Sequence, residues 1–179
     1  MTLLTLSDIE KATPLVYSQM APTPQYLWPQ ICDLTGATVR VKHENHTPPG
    51  AFTVRGAITS IEWLKRSSPD TKGIVTATRG NHGQSQARAA TTAGLTAKIV
   101  DPHHNSVEKN AAMRSFGGTV IEHGNDFDEA RLEAQRLAEV ENLVSVPPFH
   151  PEIVRGVATY AMELFTAIKD MDTDYVSNG

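Results

Sequence analysis

Gly73-Ile74-Val75-Thr76-Ala77-Thr78-Arg79-Gly80-Asn81-His82-Gly83-Gln84-Ser85-Gln86-Ala87-Arg88-Ala89-Ala90-Thr91-Thr92-Ala93-Gly94 is the stretch whose reading decides the fold. From Gly73 to Thr78 the residues are apolar, β-branched or small, which suits a buried strand. From His82 to Ala93 the period and the alanine content are helical, and Gly94 is a stop signal. A strand therefore passes into a helix through one short turn.

Outward from this unit the same alternation repeats. Strands are expected over Ala37 to Glu44, Ala97 to Asp101, Thr119 to His123, Leu143 to Val146 and Thr173 to Val176. Helices are expected over Thr53 to Arg66, Ser106 to Phe116, Asp126 to Glu141 and Pro151 to Thr166, with Gly117-Gly118 as a further stop. Ser106 can accept an orphan amide, Glu108 complements the helix dipole, Asp126 with Glu129 suits a capped first turn, and Pro151 suits a first helical position. Strands separated by helices imply an α/β fold with a parallel twisted sheet and helices on both faces, at least four strands coming from Gly73 to Val146. Lys11 to Asp33 is proline-rich and uneven in period, and is expected to wrap across another surface.

The sequence has 179 residues, 40% of them hydrophobic and 20% charged, enough for one domain or one and a half. A net charge of -4 with scattered Lys and Arg argues against a nucleic-acid partner, while small anionic ligands remain open. The single cysteine, Cys32, excludes an internal disulfide framework and reads as a packing residue. Residues Met1 to Glu10 lack the basic start and apolar run of a secretory signal, and no apolar stretch is long enough to span a bilayer, so a cytoplasmic protein is expected.

Three segments carry chemistry. Thr78, Gly80, Asn81, His82 and Gly83 sit where a strand meets a helix, and a helix start presents unpaired amides that suit a carboxylate or phosphate. Gly80 and Gly83 would let the backbone approach such a ligand, although a plain tight turn explains a glycine-bearing loop equally well. Phe52 followed by Thr53 leads into the next helix. Lys42 and Glu44 read as polar positions on a partly exposed edge, and Arg55 and Lys65 as solvated helix residues. His103, His104 and His123 lack the i, i+4 spacing of a zinc helix, and His43 and His46 make no ligand pair, so no metal is expected.

The segment Lys42-His43-Glu44-Asn45-His46-Thr47-Pro48-Pro49-Gly50-Ala51-Phe52-Thr53-Val54-Arg55-Gly56-Ala57 resembles the cofactor-lysine region of the fold-type II pyridoxal-phosphate enzymes, in the threonine/serine dehydratase (ammonia-lyase) branch. Thr78 to Gly83 resembles that family's Ser-Ala-Gly-Asn-His-type loop, Thr13-Pro14-Leu15-Val16 its entry motif, and Val144 to Leu164 its return to the large domain. The resemblance runs from Pro14 to Val176 and implies a tryptophan-synthase-β-like fold. It divides the chain into residues 1–52 as the start of a large domain, 53–148 as a smaller nested domain and 149–179 as a return.

In that family the residue after the Phe is the lysine that holds pyridoxal 5'-phosphate as a Schiff base. Here it is Thr53, whose hydroxyl cannot form an imine. By the same resemblance Thr78, Gly80, Asn81 and His82 grip a substrate carboxylate, Asn81 also touches the cofactor ring, and Phe52 packs on it. The glycine-rich phosphate loop would follow a strand at Thr173 to Val176, and the sequence ends at Ser177-Asn178-Gly179.

The resemblance therefore implies a dehydratase-like protein, of the kind that eliminates and deaminates a hydroxy amino acid, that is carboxyl-terminally incomplete, does not hold the cofactor covalently and is silent in catalysis. The alternative is a non-catalytic regulatory or interaction subunit that associates with itself or with an intact homologue. An unrelated nucleotide-binding α/β protein is disfavoured, because neither a Gly-Lys-Ser phosphate loop nor a Gly-x-Gly-x-x-Gly fingerprint is present.

Overall fold

The computed structural model describes residues 4–176. Its centre is a four-stranded parallel sheet built from β3 (Gly73–Ala77), β4 (Thr96–Asp101), β5 (Thr119–Glu122) and β6 (Val144–Ser145), in the order β5-β4-β3-β6. Helices α4 (Asn81–Thr92), α5 (Val107–Ser115) and α6 (Phe127–Glu141) connect these strands, so the expected alternation and the parallel sheet are both present. β3 is buried at every position, as a central strand covered on both faces must be.

Alternation along the strands sorts the core into two layers. Ile74 and Ile99 face one side, where they pack with Ala87, Ala90 and Met113 of α4 and α5 and with Ala57, Ile61 and Ile153. Val75, Ala77 and Val100 face the other side and meet Ala130, Ala134 and Leu137 of α6. The chain winds from β3 through β4 to β5, then crosses to β6 on the far side of β3. The direction of winding thus reverses at β3, and the loop leaving its carboxyl end opens at the switch point where α/β sheets hold ligands.

Caps fix the helix phases. Asp126 accepts from Glu129 N at 2.9 Å, Ser106 from Lys109 N at 3.3 Å, and Pro151 opens α7 (Pro151–Ala167) with His150 Nδ1 accepting from Glu152 N at 3.2 Å. Helix α3 (Thr53–Ser67) lies between α4 and α7, and crosses α7 at Gly156, where an added Cβ would collide with Thr59 Oγ1 and the Arg55 carbonyl group.

Four expectations need correction. Lys11 to Asp33 does pack across another surface, that of α3 and α7, but it is not uneven in structure. It carries most of α1 (Leu6–Tyr17), then β1 (Gln25–Leu27) and the start of α2 (Pro29–Thr35). Thr5 and Asp8 form a reciprocal capping box that starts α1, and Val16 on its inner face, with Met20 just beyond its end, packs against Val54 and Ile58, which offsets the amide lost at Pro14.

The strand expected over Ala37 to Glu44 shrinks to β2 (Arg40–Lys42) and pairs antiparallel with β1 rather than joining the parallel sheet. Thr173 to Val176 forms no strand: it meets no neighbouring strand among the described residues, and Tyr175 and Val176 are exposed. Residues 177–179, with which the sequence ends, lie outside the described residues, as do residues 1–3 of the amino-terminal segment read for a signal.

The fourth concerns charge. Arg55 is not solvated but 0% exposed, and its guanidinium is fully engaged. Nε and Nη2 bind the Glu44 carboxylate at 2.8 and 2.9 Å, Nη1 and Nη2 bind Glu163 at 2.6 and 3.1 Å, and Nη1 donates to Thr159 Oγ1 at 3.0 Å. Lys42 pairs with Glu163, and Tyr17 donates to Glu163 Oε1 at 2.9 Å. Lys42 and Glu44 are therefore members of a nearly buried, charge-balanced network that ties α1, β2, α3 and α7 together, not polar decoration on an edge. Among the described residues no helix is long and apolar enough to cross a membrane.

Candidate functional site

The turn after β3 brings the expected residues of two separate segments together. Thr78 is buried beside β4, its amide donating to the Val100 carbonyl at 3.0 Å, and its Oγ1 accepts from Gly80 N at 3.2 Å, which folds the turn back on itself. Helix α4 then begins at Asn81 with no side-chain cap. The amides of Asn81, His82 and Gly83, among the orphan donors of a helix start, find no acceptor among the described residues. Together with the positive end of the α4 dipole they form a cradle for one small anion.

Thr53 opens α3 directly beside this cradle. Its Oγ1 lies 2.7 Å from Ser85 Oγ and donates to the Asn81 carbonyl oxygen at 3.2 Å. The two segments, 28 residues apart for Thr53 and Asn81, thus share one site. Ser85 carries no role in the sequence reading. Its spacing of four from Asn81 puts both on one face of α4, and that is the signal by which it could have been found.

His82 is turned away from the cradle. Its Nε2 lies 3.2 Å from Thr76 Oγ1, and Thr76 spends its own proton on the Val146 carbonyl at 2.7 Å. The imidazole must therefore be the donor to Thr76, which places a proton on Nε2. Burial pushes its pKa down to about 4. The backbone amide of His82, not its ring, faces the cradle.

This has a consequence for pH. The unfolded chain takes up the His82 proton near the ordinary histidine value of 6.5 and the folded chain only near 4, so the unfolded state binds more protons between these values. Stability contributed by neutral His82 should be complete above about pH 6.5 and be lost as pH falls toward 4, by on the order of 3 kcal/mol. Urea unfolding at pH 7 and pH 5 measures the slope, and His82→Gln should flatten it.

Phe52 lies between the site and α7, half-buried, with its ring centroid 6.0 Å from that of Tyr160. Gly83 corrects the expectation that both loop glycines serve ligand approach. A Cβ there would strike Thr78 Cγ2, Met113 Sδ and Ile99 Cγ2, so its bareness serves the packing of α4 onto the sheet. Gly80 faces outward, toward Lys109 of α5, a residue that nothing in the sequence singled out.

The histidines lie elsewhere. His43 stands with Tyr26, Trp28 and His46 in a ring cluster, with Trp28 Nε1 donating to His43 Nε2 at 3.2 Å. Cys32 is half-buried, its Sγ accepting from Val39 N at 3.1 Å.

Comparison with known proteins agrees with this fold. The family model described as pyridoxal-phosphate dependent enzyme matches residues 16–178. The chain is 34% identical over 175 residues to the L-threonine dehydratase biosynthetic IlvA of Haemophilus influenzae, covering 97% of this chain and 34% of that protein. It is 33% identical over 178 residues to the L-threonine ammonia-lyase of Thermotoga maritima, covering 99% of this chain and 44% of that one. Among solved structures it matches the processed form of threonine deaminase isoform 2 from Solanum lycopersicum with a TM-score of 0.84 and 34% identity, over 93% of this chain and 45% of that chain. A pyridoxal 5'-phosphate-dependent aspartate racemase matches with a TM-score of 0.91 at 26% identity, over 96% and 54%. The chain thus spans between a third and about half of the length of these relatives.

Proposed function

The chain belongs to the pyridoxal-phosphate dependent enzyme family, with threonine dehydratases among its relatives, and we propose that it keeps that family's carboxylate-binding loop without its covalent chemistry. In this reading Thr78, Gly80, Asn81 and His82 hold the carboxylate of a hydroxy amino acid through the turn and the free amides of α4. Asn81 and Phe52 line the place of the cofactor ring. The segments on either side of the nested unit 53–148 belong to a larger domain, and the cytoplasm is the compartment we assign.

The observation that carries this reading is the state of residue 53. The Thr53 hydroxyl bridges Ser85 and the Asn81 carbonyl oxygen at the edge of the cradle, where covalent catalysis would need an amine. The cofactor's covalent anchor therefore does not fit this chain, whereas the non-covalent half of the site fits an anion. Elimination and deamination of threonine or serine by this chain alone is not expected, because nothing at position 53 can take up or return the α-proton as an amine would.

Incubation with pyridoxal 5'-phosphate, borohydride reduction and peptide mapping test this. The native chain should carry no adduct in the peptide containing residue 53 and should release no 2-oxo acid from threonine or serine. Thr53→Lys should carry the adduct there, since an amine beside a helix start is biased toward its neutral, nucleophilic form. Covalent label at residue 53 of the native chain, or 2-oxobutanoate release from threonine, overturns the proposal.

A second reading, a non-catalytic subunit that associates with itself or with a homologue, is favoured by one observation. Tyr26, Leu27, Trp28, Ile31 and Leu34 are all exposed along β1 and α2, Leu34 to 86%. Several large apolar side chains exposed within so short a stretch are candidates for burial in an assembly. Sedimentation velocity should then report species larger than a monomer, and a monomer at every concentration removes this reading.

A further inference from the structure

Asp101, the last residue of β4, is 0% exposed, and among the described residues nothing donates a hydrogen bond to either of its side-chain oxygens. Strand alternation turns it to the side of Ile99, where α4 and α5 pack, and away from the side of Val100 and α6. The carboxamides of Asn110 on α5 and of Asn105 in the β4–α5 turn lie beside it. These two are engaged with each other instead, Asn105 Nδ2 donating to Asn110 Oδ1 at 2.7 Å. A buried acid with both oxygens unpartnered calls for an explanation.

Neighbouring charges do not supply one. Arg114 of α5 favours the ionised form and Glu122 of β5 opposes it, and the two are paired with each other at 3.5 Å. Lys109 of α5 lies over Gly80, and β3 carries no charged side chain. On α4 the His82 ring is turned to Thr76 and Arg88 donates to the Gln19 carbonyl oxygen, while on α6, across the sheet, Glu129 is held by Asn125 N at 2.7 Å. Burial is the largest influence, and it pushes the Asp101 pKa up. A bound cation would be the other remedy, but hard cations take about six or more oxygen ligands, and the neighbours here are two carboxamides already bonded to each other.

We propose that Asp101 is a proton-operated latch between β4 and α5, a neutral acid while the β4–α5 turn is closed and a carboxylate when the turn opens. The neutral acid has an O–H to donate to Asn110 Oδ1, which among the described hydrogen bonds accepts only from Asn105 Nδ2. Loss of that proton to solvent leaves one acceptor facing another, and water must enter to solvate the charge. The turn that the latch closes is strained at His104, which stands at φ 63° without being glycine. Because α5 also carries Lys109 across Gly80, release of its first turn is felt at the start of α4.

The native chain then holds a proton that the unfolded chain releases above the ordinary aspartate value of 3.8, so the stability contributed here is lost as pH rises from 3.8 through the raised value. The sign is opposite to that of His82. Carbon-detected spectra of the isotopically labelled full chain read the Asp101 carboxyl directly: it should titrate above the ordinary carboxylate range, and the amides of Asn105 to Asn110 and of Gly80 should move with the same midpoint. Asp101→Asn keeps the shape of the neutral acid and cannot ionise. Its folding constant relative to the native chain should grow with pH above 3.8, by up to about tenfold per pH unit, and level off past the native midpoint.

An Asp101 carboxyl that titrates within or below the ordinary range overturns the proposal, and this reading needs no variant. A ratio of folding constants that does not change with pH overturns it as well. Carboxyl and amide shifts driven by potassium or calcium chloride at constant pH would show a bound cation in place of the proton. Amides of Asn105 to Asn110 and of Gly80 that ignore the carboxyl midpoint would leave a buried acid that latches nothing.

Discussion

Arg55→Leu should destabilise the chain by about 3–5 kcal/mol, because it removes the one guanidinium that neutralises two nearly buried carboxylates, leaving Glu163 with Lys42 alone and Glu44 with no cation among the described residues. For a chain of this size that is a loss of on the order of 10 °C in melting temperature. Burial by itself raises the Glu163 pKa, but the hydrogen bonds from Arg55 and Lys42 outweigh it and hold the carboxyl below its ordinary value. Without Arg55 the balance reverses, and Glu163 should be protonated at a higher pH than in the native chain.

Arg55→Lys should recover only part of the loss, since an ammonium cannot reach Glu44 and Glu163 with the paired geometry of the guanidinium. Adding Glu44→Gln and Glu163→Gln to Arg55→Leu should be less damaging than the sum of the separate changes, because the cost comes from unpaired charge rather than from a missing contact. Denaturant titration of the single and combined variants reads these differences. A loss below about 1 kcal/mol for Arg55→Leu would mean that the network is hydrated, as surface ion pairs are.

The same residue marks how far the sequence could be read. The β3–α4 unit was legible because its evidence is local: an apolar run, a turn with two glycines, a helical stretch and a stop at Gly94. Asp126 and Pro151 were equally legible as helix starts. Arg55 was not, because its burial depends on α1, β2 and α7 arriving around it from positions as distant as Tyr17 and Glu163. The run from Val54 to Ile61, more than two turns of helix buried on every side, has no amphipathic period to announce it.

Helix α1 was missed because Pro14 argues locally against a helix, while its stability comes from Val16, and from Met20 just after its end, packing on α3. Thr173 to Val176 erred in the opposite sense. Its residues favour a strand, but a strand exists only with a partner to pair with. At the site, position 53 and the loop could be read from sequence. What could not be read was their contact: that the Thr53 hydroxyl reaches Ser85, that the His82 ring turns inward to Thr76, and that Lys109 arrives from the next helix.

Gly156→Val should be as damaging as the loss of Arg55, and for a reason that bears on the site. At the crossing of α3 and α7 the Cβ missing from Gly156 would lie against Thr59 Oγ1 and the backbone carbonyl of Arg55, and the one missing from Gly56 would lie 2.7 Å from both the Ile153 carbonyl oxygen and its Cγ2. A flexible side chain could step aside, but backbone can move only by shifting a whole helix. The expected cost is about 3 kcal/mol or more, at the upper end of overpacking.

The shift would not stay local. Thr53 lies less than one turn from Arg55 on α3, and the Thr53 to Ser85 contact of 2.7 Å leaves no room for the helix to slide without breaking it. Gly156→Val should therefore weaken the join between α3 and the start of α4 as well as the fold. Gly156→Ala should do the same to a smaller extent. Hydrogen exchange at the hydrogen-bonded amides Arg55 to Ala57 and Gln84 to Gln86 should accelerate together in both variants, whereas exchange in β4, which the crossing does not touch, should follow only the global loss. If β4 accelerates as much as the two helix starts, the crossing supports the fold as a whole and has no separate hold on the site.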